Sequence, residues 1–136
     1  MSVDKNRWKS SSHSKYNLGV HIIFCPKYRR KVLIEGVEDE LKIICQDVAK
    51  DLKISIESIE VMPDHVHIFL KHPPTLPIHY IVQQIKGKSS KLLRLKFEWL
   101  KKRIPTLWTR SYFAESVGII NEEKNKKYII VGLSFL

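Results

Sequence analysis

Cysteine is scarce in this chain, and so are acidic residues and long apolar runs. Cys25 and Cys45 lie far apart in the 136-residue sequence, which argues against a disulfide framework or paired Cys-x-x-Cys zinc knuckles. The apolar stretches are too short to span a bilayer. Residues 1–12 are polar and lack the apolar centre of a secretory signal. We therefore expect a cytoplasmic protein with reduced cysteines.

The shortage of acidic residues leaves the chain strongly basic. Lys and Arg outnumber Asp and Glu by 24 to 14, which gives a formal net charge of +10. Such an excess favours a polyanionic partner, because cationic side chains release counterions when they bind phosphates. Nucleic acid is the first candidate, and an anionic membrane surface is the second. A merely soluble basic surface is the third.

The hydropathy pattern predicts an α+β fold. Alternating apolar residues predict strands at 16–26, 54–62, 65–70 and 112–117, with a bulge where the alternation slips between Ile56 and Ile59. Helical spacing predicts helices at 37–52, 78–99 and 122 to about 131, and Gly118 is expected to supply a turn. The order matches a ferredoxin-like βαββαβ antiparallel sheet with helices on one face, followed by a C-terminal helix.

The domain organisation is simple. Residues 1–12 have the composition of a loose N-terminal tail. Residues 13–136 contain no repeat, low-complexity tract or linker that would divide them. One domain is therefore predicted over residues 13–136.

Two histidines and one tyrosine are the candidates for chemistry. His65 and His67 are two apart in a predicted strand, so both imidazoles leave the same face and can chelate one divalent ion. Tyr128 follows a lysine-rich run in the predicted last helix and can act as a covalent nucleophile. Taken singly, two strand histidines more often face solvent, and a helix tyrosine more often packs on a sheet. The three are therefore interpreted together.

Short motifs distributed over nearly the whole chain resemble those of one family. They are Ser12-His13-Ser14, Tyr16-Asn17-Leu18, Lys27-Tyr28-Arg29-Arg30, Pro63-Asp64-His65-Val66-His67, Lys86-Gly87-Lys88-Ser89-Ser90, Leu107-Trp108, Ser111-Tyr112-Phe113 and Tyr128-Ile129. Each motif is weak alone, but their order and spacing are specific. The sequence resembles the TnpA-type single-tyrosine transposases of the HUH superfamily, whose relatives include the REP-associated tyrosine transposases.

The resemblance implies a function and a site. It implies a metal-dependent transposase that cleaves and rejoins single-stranded DNA at insertion-sequence ends through a 5′-phosphotyrosine. Tyr128 would be the nucleophile, and His65 and His67 would bind magnesium or manganese. It also implies recognition of a DNA hairpin, no membrane partner, and a homodimer in which the two sheets join and each active site combines residues of both subunits.

One position departs from the family pattern. Members usually carry a polar residue, commonly Gln, one helical turn after the tyrosine as a third metal ligand, but this chain has Gly132 there. Water or phosphate oxygens can fill vacant coordination sites of magnesium and manganese. The sequence therefore predicts weakened metal affinity. The alternative is a catalytically weakened or inactive relative that binds hairpin or single-stranded DNA without cutting it.

Two basic segments are predicted to contact DNA. The first is the run Lys27, Tyr28, Arg29 and Arg30, suited to phosphate contacts and base stacking, although a solvated loop has a similar composition. The second is a stripe on the long helix formed by Lys86, Lys88, Lys91 and Arg94. Trp108, Tyr112 and Phe113 are expected to pack in the core rather than stack on bases. A ferredoxin-like RNA-binding protein with accidental histidines ranks below both DNA hypotheses.

Overall fold

A computed structural model describes residues 17–120 of the chain. Its strands and helices are β1 (Asn17–Phe24), α1 (Val37–Leu52), β2 (Ser55–Met62), β3 (His65–His72), α2 (Ile78–Lys96), α3 (Glu98–Arg103) and β4 (Phe113–Ile120). A short 3-10 turn, Lys27–Arg29, follows β1. The predicted N-terminal tail and the predicted C-terminal helix lie outside the described residues.

The four strands form one antiparallel sheet in the order β2-β3-β1-β4. With α1 connecting β1 to β2 and α2 and α3 connecting β3 to β4, this is the predicted ferredoxin-like βαββαβ arrangement. The α+β class is therefore confirmed. The two central strands are β3 and β1, and both carry histidines.

Strand alternation separates the central strands into two faces. Val20, Ile22 and Phe24 of β1 pack with Val66, Ile68 and Leu70 of β3 and with the apolar sides of α1 and α2 in the main core. The residues between them point to the opposite face. We call that surface the histidine face and define it by His21, Ile23, His65, His67 and Phe69.

Local sequence signals account for the start of α1 and for the bulge in β2. Gly36 precedes α1 in a left-handed conformation, with φ of 97°. Three acidic residues then occupy the first turn of α1, where the helix dipole stabilises negative charge. In β2 the pairing with β3 shifts between Ile56 and Ser58, so the bulge predicted from the broken alternation is present.

Two predictions about local structure were wrong. The long helix does not continue through Trp99: the backbone is extended at Phe97, with φ of −110° and ψ of 97°, and this residue separates α2 from α3. Gly118 does not form a turn either, but lies inside β4 opposite Gly19. The pairing slips there by one residue, and Gly118 adopts a φ of 88° that a side chain would disfavour.

Within residues 17–120, none of the helices combines the length and the apolar character that crossing a bilayer requires.

Candidate metal centre and nucleic-acid interface

His65 begins β3 directly after the Pro63–Asp64 turn, and the turn fixes its ring. Its Nδ1 lies 2.9 Å from Oδ1 of Asp64, while Oδ2 of the same carboxylate accepts a hydrogen bond of 3.1 Å from Arg29. The hydrogen bond from His65 and the charge of Arg29 hold the pKa of Asp64 below its usual value. With Nδ1 donating to a carboxylate, Nε2 is the nitrogen of His65 that keeps a lone pair for a metal ion.

His67 leaves β3 on the same face as His65, as the strand alternation predicted. The two side chains are 27% and 23% exposed, so both rings are within reach of a ligand. Nε2 of His67 lies 2.9 Å from Nδ1 of His21 on the neighbouring strand. Its Nδ1 lies 3.9 Å from a carboxylate oxygen of Glu60 on the other side. The ring is therefore flanked by one imidazole and one carboxylate.

His21 is the site residue that the sequence interpretation missed. Its side chain is buried, with 6% exposed, and its ring stacks on Phe69 at 4.4 Å between centroids. Burial, followed by the nearby His67, lowers the pKa of His21, so its ring is neutral at neutral pH. A signal for it was present: His21 alternates with the buried Val20 and Ile22, which places it on the other side of β1.

Two imidazoles are the candidate ligands that the described residues offer a divalent ion. Among residues 17–120, histidine, cysteine, aspartate and glutamate side chains form no cluster of three or more that could hold a metal. Two imidazoles with an anchored second shell fit a manganese or magnesium ion that completes its coordination with water or phosphate oxygens. Tyr128 and Gly132, the proposed nucleophile and the vacant ligand position, lie outside the described residues.

The basic run after β1 adjoins the histidine pair. Lys27–Arg29 forms a 3-10 turn in which Tyr28 and Arg29 both have positive φ. The Tyr28 ring is 77% exposed, and the ammonium of Lys27 lies 5.7 Å from its centroid. Arg29 connects the turn to His65 through Asp64, and Arg30 is exposed beside it. The exposed basic run is thus tied to the end of β3 at which His65 lies.

The basic stripe of α2 has two kinds of member. Lys86 donates to the carbonyls of Thr109 and Ser111 at 2.8 and 2.7 Å, and burial lowers the pKa of its half-buried ammonium. Arg94 donates to the carbonyl of Ile104. These two cations therefore anchor the segment between α3 and β4, a role that the sequence interpretation did not include.

The other two members of the stripe are open to solvent. Lys88 lies 3.6 Å from Asp51 in an exposed ion pair, and Lys91 is exposed. Because α2 packs on the core face of the sheet, this stripe is separated from the histidine face. The structure thus connects the basic run after β1 to His65, and it places the α2 stripe in the helical layer that covers the opposite face of the sheet.

A cavity of about 520 Å³ lies between α2 and the segment before β4. Gln83, Lys86, Trp108 and Tyr112 are among its lining residues. Trp108 is buried, as expected, and donates from its indole nitrogen to the Ser89 hydroxyl at 2.9 Å. Tyr112 and Phe113 are 37% and 43% exposed, so the expectation that they pack in the core was wrong for both.

Comparison with known proteins gives concordant matches. The family model described as "Transposase IS200 like" matches residues 14–130. The ISDra2 transposase TnpA of Deinococcus radiodurans is 36% identical over 116 residues, covering 84% of this chain and 83% of its own. The transposase for insertion sequence element IS200 of Salmonella typhimurium is 32% identical over 123 residues, covering 89% and 80%.

Solved structures agree with the fold. A crystal structure from Deinococcus radiodurans R1, described as that of a transposase, superposes with a TM-score of 0.70 at 33% identity, over 82% of this chain and 85% of the other. A REP-associated tyrosine transposase bound to a REP hairpin superposes with a TM-score of 0.60 at 13% identity, over 82% and 62%. The second likeness concerns the fold alone.

Proposed function

The chain belongs to the family of IS200-like transposases, and on this premise we propose that it cleaves and rejoins single-stranded DNA at insertion-sequence ends through a phosphotyrosine intermediate. The observation that carries the proposal is the pair His65 and His67 on one face of β3, with His65 anchored by Asp64. Such a carboxylate–histidine arrangement is the usual second shell of a metal-binding histidine.

His65 and His67 would hold a divalent ion, magnesium or manganese. When bound, this ion supplies Lewis-acid polarisation of the phosphate oxygens. Asp64 keeps the proton of His65 on Nδ1 and thereby keeps Nε2 available as a ligand. Arg29 donates to Oδ2 of Asp64 and offsets the charge of this carboxylate.

Tyr128 attacks the phosphodiester. Its phenol loses a proton as its oxygen forms a bond to phosphorus, the bond from phosphorus to the 3′ oxygen breaks, and that oxygen takes up a proton to leave a free 3′-OH. The phenol has an ordinary pKa of about 10, so the phenolate leaves more readily than a sugar alkoxide. When another 3′-OH attacks the phosphotyrosine, the same exchange runs in reverse, and joining requires no nucleotide cofactor.

Two surfaces bind the DNA. Lys27, Tyr28, Arg29 and Arg30 lie beside the metal centre, where they can bind the backbone of the strand to be cut and stack on an unpaired base. Lys88 and Lys91 offer exposed charge on the helical layer, and Lys86 and Arg94 hold the segment next to it. The likeness in fold to a hairpin-bound transposase supports hairpin DNA as the ligand.

The active unit is proposed to be a homodimer in which the two sheets join and each site combines the histidines of one subunit with Tyr128 of the other. In support, β4 is an edge strand of the sheet among residues 17–120, and its Ile119 is an exposed apolar side chain. An edge strand is a template for pairing with a second copy.

Covalent trapping tests the proposal directly. The full chain is incubated with manganese and labelled single-stranded DNA from the ends of its own element, and adducts are separated under denaturing conditions. We expect a protein–DNA adduct with the unaltered chain and none with Tyr128→Phe. A chain that binds this DNA but forms no adduct would favour the alternative of a non-cutting DNA-binding relative, for which Gly132 is the motivating feature.

A further inference from the structure

We propose that His21 is a positioning residue of the metal centre, which holds the ring of His67 in the orientation that binds a metal ion. The proposal rests on the proposed function, because it adds a third histidine to the same site. His21 acts through His67 and is not itself a ligand: with His65 and His67 it forms no cluster that could hold a metal within the described part of the chain.

The position of His21 in the sheet holds its ring in a fixed orientation. It lies in the middle of β1, opposite Phe69 on β3, and its backbone is paired with both neighbouring strands. The ring is 6% exposed and stacks on Phe69 with an interplanar angle of 23°. A side chain fixed by burial and stacking loses little further freedom when it hydrogen-bonds to a neighbour, so it can orient a more exposed ring.

His67 is the more exposed ring, and His21 is its close polar contact. The nitrogen–nitrogen distance of 2.9 Å is that of a well-formed hydrogen bond. Glu60 on the other side lies 3.9 Å from Nδ1, beyond hydrogen-bond length, and its side chain is 74% exposed. The contact to His21 therefore selects the rotation of the His67 ring, whereas Glu60 adds only an electrostatic preference.

The contact also links the two ring protons. To bind an ion through Nδ1, His67 must carry its proton on Nε2 and donate it to Nδ1 of His21, as metal-bound histidines usually donate to a second-shell acceptor. His21 then carries its own proton on Nε2, a buried atom without a hydrogen-bond partner in the described structure.

Metal binding should therefore fix the direction of this hydrogen bond, with His67 donating to His21. Long-range proton–nitrogen NMR of the unaltered full chain measures which nitrogen is protonated. We expect the His67 proton on Nε2 at saturating Mg²⁺. A His67 proton on Nδ1 in the presence of bound Mg²⁺ would overturn the proposal.

The affinity for manganese gives the second test. Free Mn²⁺ is titrated by electron paramagnetic resonance in the full chain and in three variants. His21→Phe keeps an aromatic ring on Phe69 but has no nitrogen, and we expect its Mn²⁺ affinity to fall roughly 10- to 100-fold. His21→Asn places an amide near the position of Nδ1 and should recover most of this loss.

His72→Phe is the matched control. His72 is a buried histidine of β3 on the core face, and its Nε2 also lacks a hydrogen-bond partner in the described structure. The same substitution there should change stability without changing Mn²⁺ affinity. An affinity of His21→Phe equal to or tighter than that of the unaltered chain would refute the positioning role while leaving the proposed function intact. An unaltered chain that binds no Mn²⁺ would refute both.

Discussion

Asp64 offers a quantitative test of the proposed metal centre, because one carboxylate links His65 to Arg29. The substitution Asp64→Ala removes the acceptor that fixes the tautomer and rotation of His65. Loss of such a second-shell partner typically lowers metal affinity roughly 10- to 100-fold, which corresponds to about 1.4–2.7 kcal/mol. We therefore expect Mn²⁺ binding by the full chain to weaken by this amount.

Further variants separate the hydrogen bond between Asp64 and His65 from the ion pair between Asp64 and Arg29. Asp64→Asn retains an oxygen acceptor but removes the charge, and neutral hydrogen bonds are roughly half as strong as charge-assisted ones. Its loss of affinity should then be about 0.7–1.4 kcal/mol, or roughly 3- to 10-fold. Arg29→Ala should cost less than about 1 kcal/mol, because the Arg29 side chain is 63% exposed and its ion pair is screened by solvent.

Mn²⁺ titration followed by electron paramagnetic resonance measures these affinities, and thermal unfolding shows that each variant folds. Asp51→Ala serves as the charge control, since it removes one exposed carboxylate from the helical layer, where Asp51 faces Lys88. An Asp64→Ala chain that binds Mn²⁺ within about twofold of the unaltered chain, or no more weakly than Asp51→Ala, would show that His65 does not depend on this carboxylate.

Three further outcomes are expected. Gly132→Gln should raise Mn²⁺ affinity and adduct yield by adding a third ligand, and equal yields in parallel trapping reactions would argue that no ligand is missing. Gly36→Ala should lower the free energy of unfolding by about 1 kcal/mol, because the φ of Gly36 is 97°. Gly87→Ala in α2 should raise the free energy of unfolding by about 0.5–1 kcal/mol, because an added Cβ there meets nothing within 4 Å. Urea titrations that gave the same sign for both variants would contradict this conformational argument. Burial raises the pKa of Cys45 from 9.0 to about 12, so the native chain keeps its full stability below pH 9 and loses stability as the unfolded chain deprotonates above pH 9. Between pH 8 and 10 the free energy of unfolding should fall by about 1.4 kcal/mol more in the unaltered chain than in Cys45→Ala. Equal losses in the two chains would refute this assignment.

The common face of His65 and His67 was predictable because the relevant rule is local. Alternation along a strand places His65 and His67 on one face whatever the neighbouring strands do, so the sequence was sufficient. The same rule placed His21 opposite Val20 and Ile22. It could not show that β1 and β3 are adjacent in the sheet with His21 beside His67, since that contact spans 46 residues of sequence.

The α2 stripe shows where periodicity was insufficient. Helical spacing correctly placed Lys86, Lys88, Lys91 and Arg94 on one helix, but spacing does not distinguish a cation that is available to DNA from one that is bonded to backbone carbonyls. The path of the segment between α3 and β4 decides this, because its carbonyls at Ile104, Thr109 and Ser111 end within reach of Arg94 and Lys86. Hydrogen bonds to these carbonyls hold the two side chains against the segment.

Within residues 17–120, sequence alone determined the order of strands and helices, the α+β class, the basic character and the common face of His65 and His67, because all of these follow from residue type and short-range periodicity. Tertiary structure decided the break at Phe97, the bulge at Gly118, the anchoring roles of Lys86 and Arg94, and the partnership of His21 with His67. Those features depend on which distant segments meet, and the meeting is fixed by the packing of the whole core rather than by any local pattern.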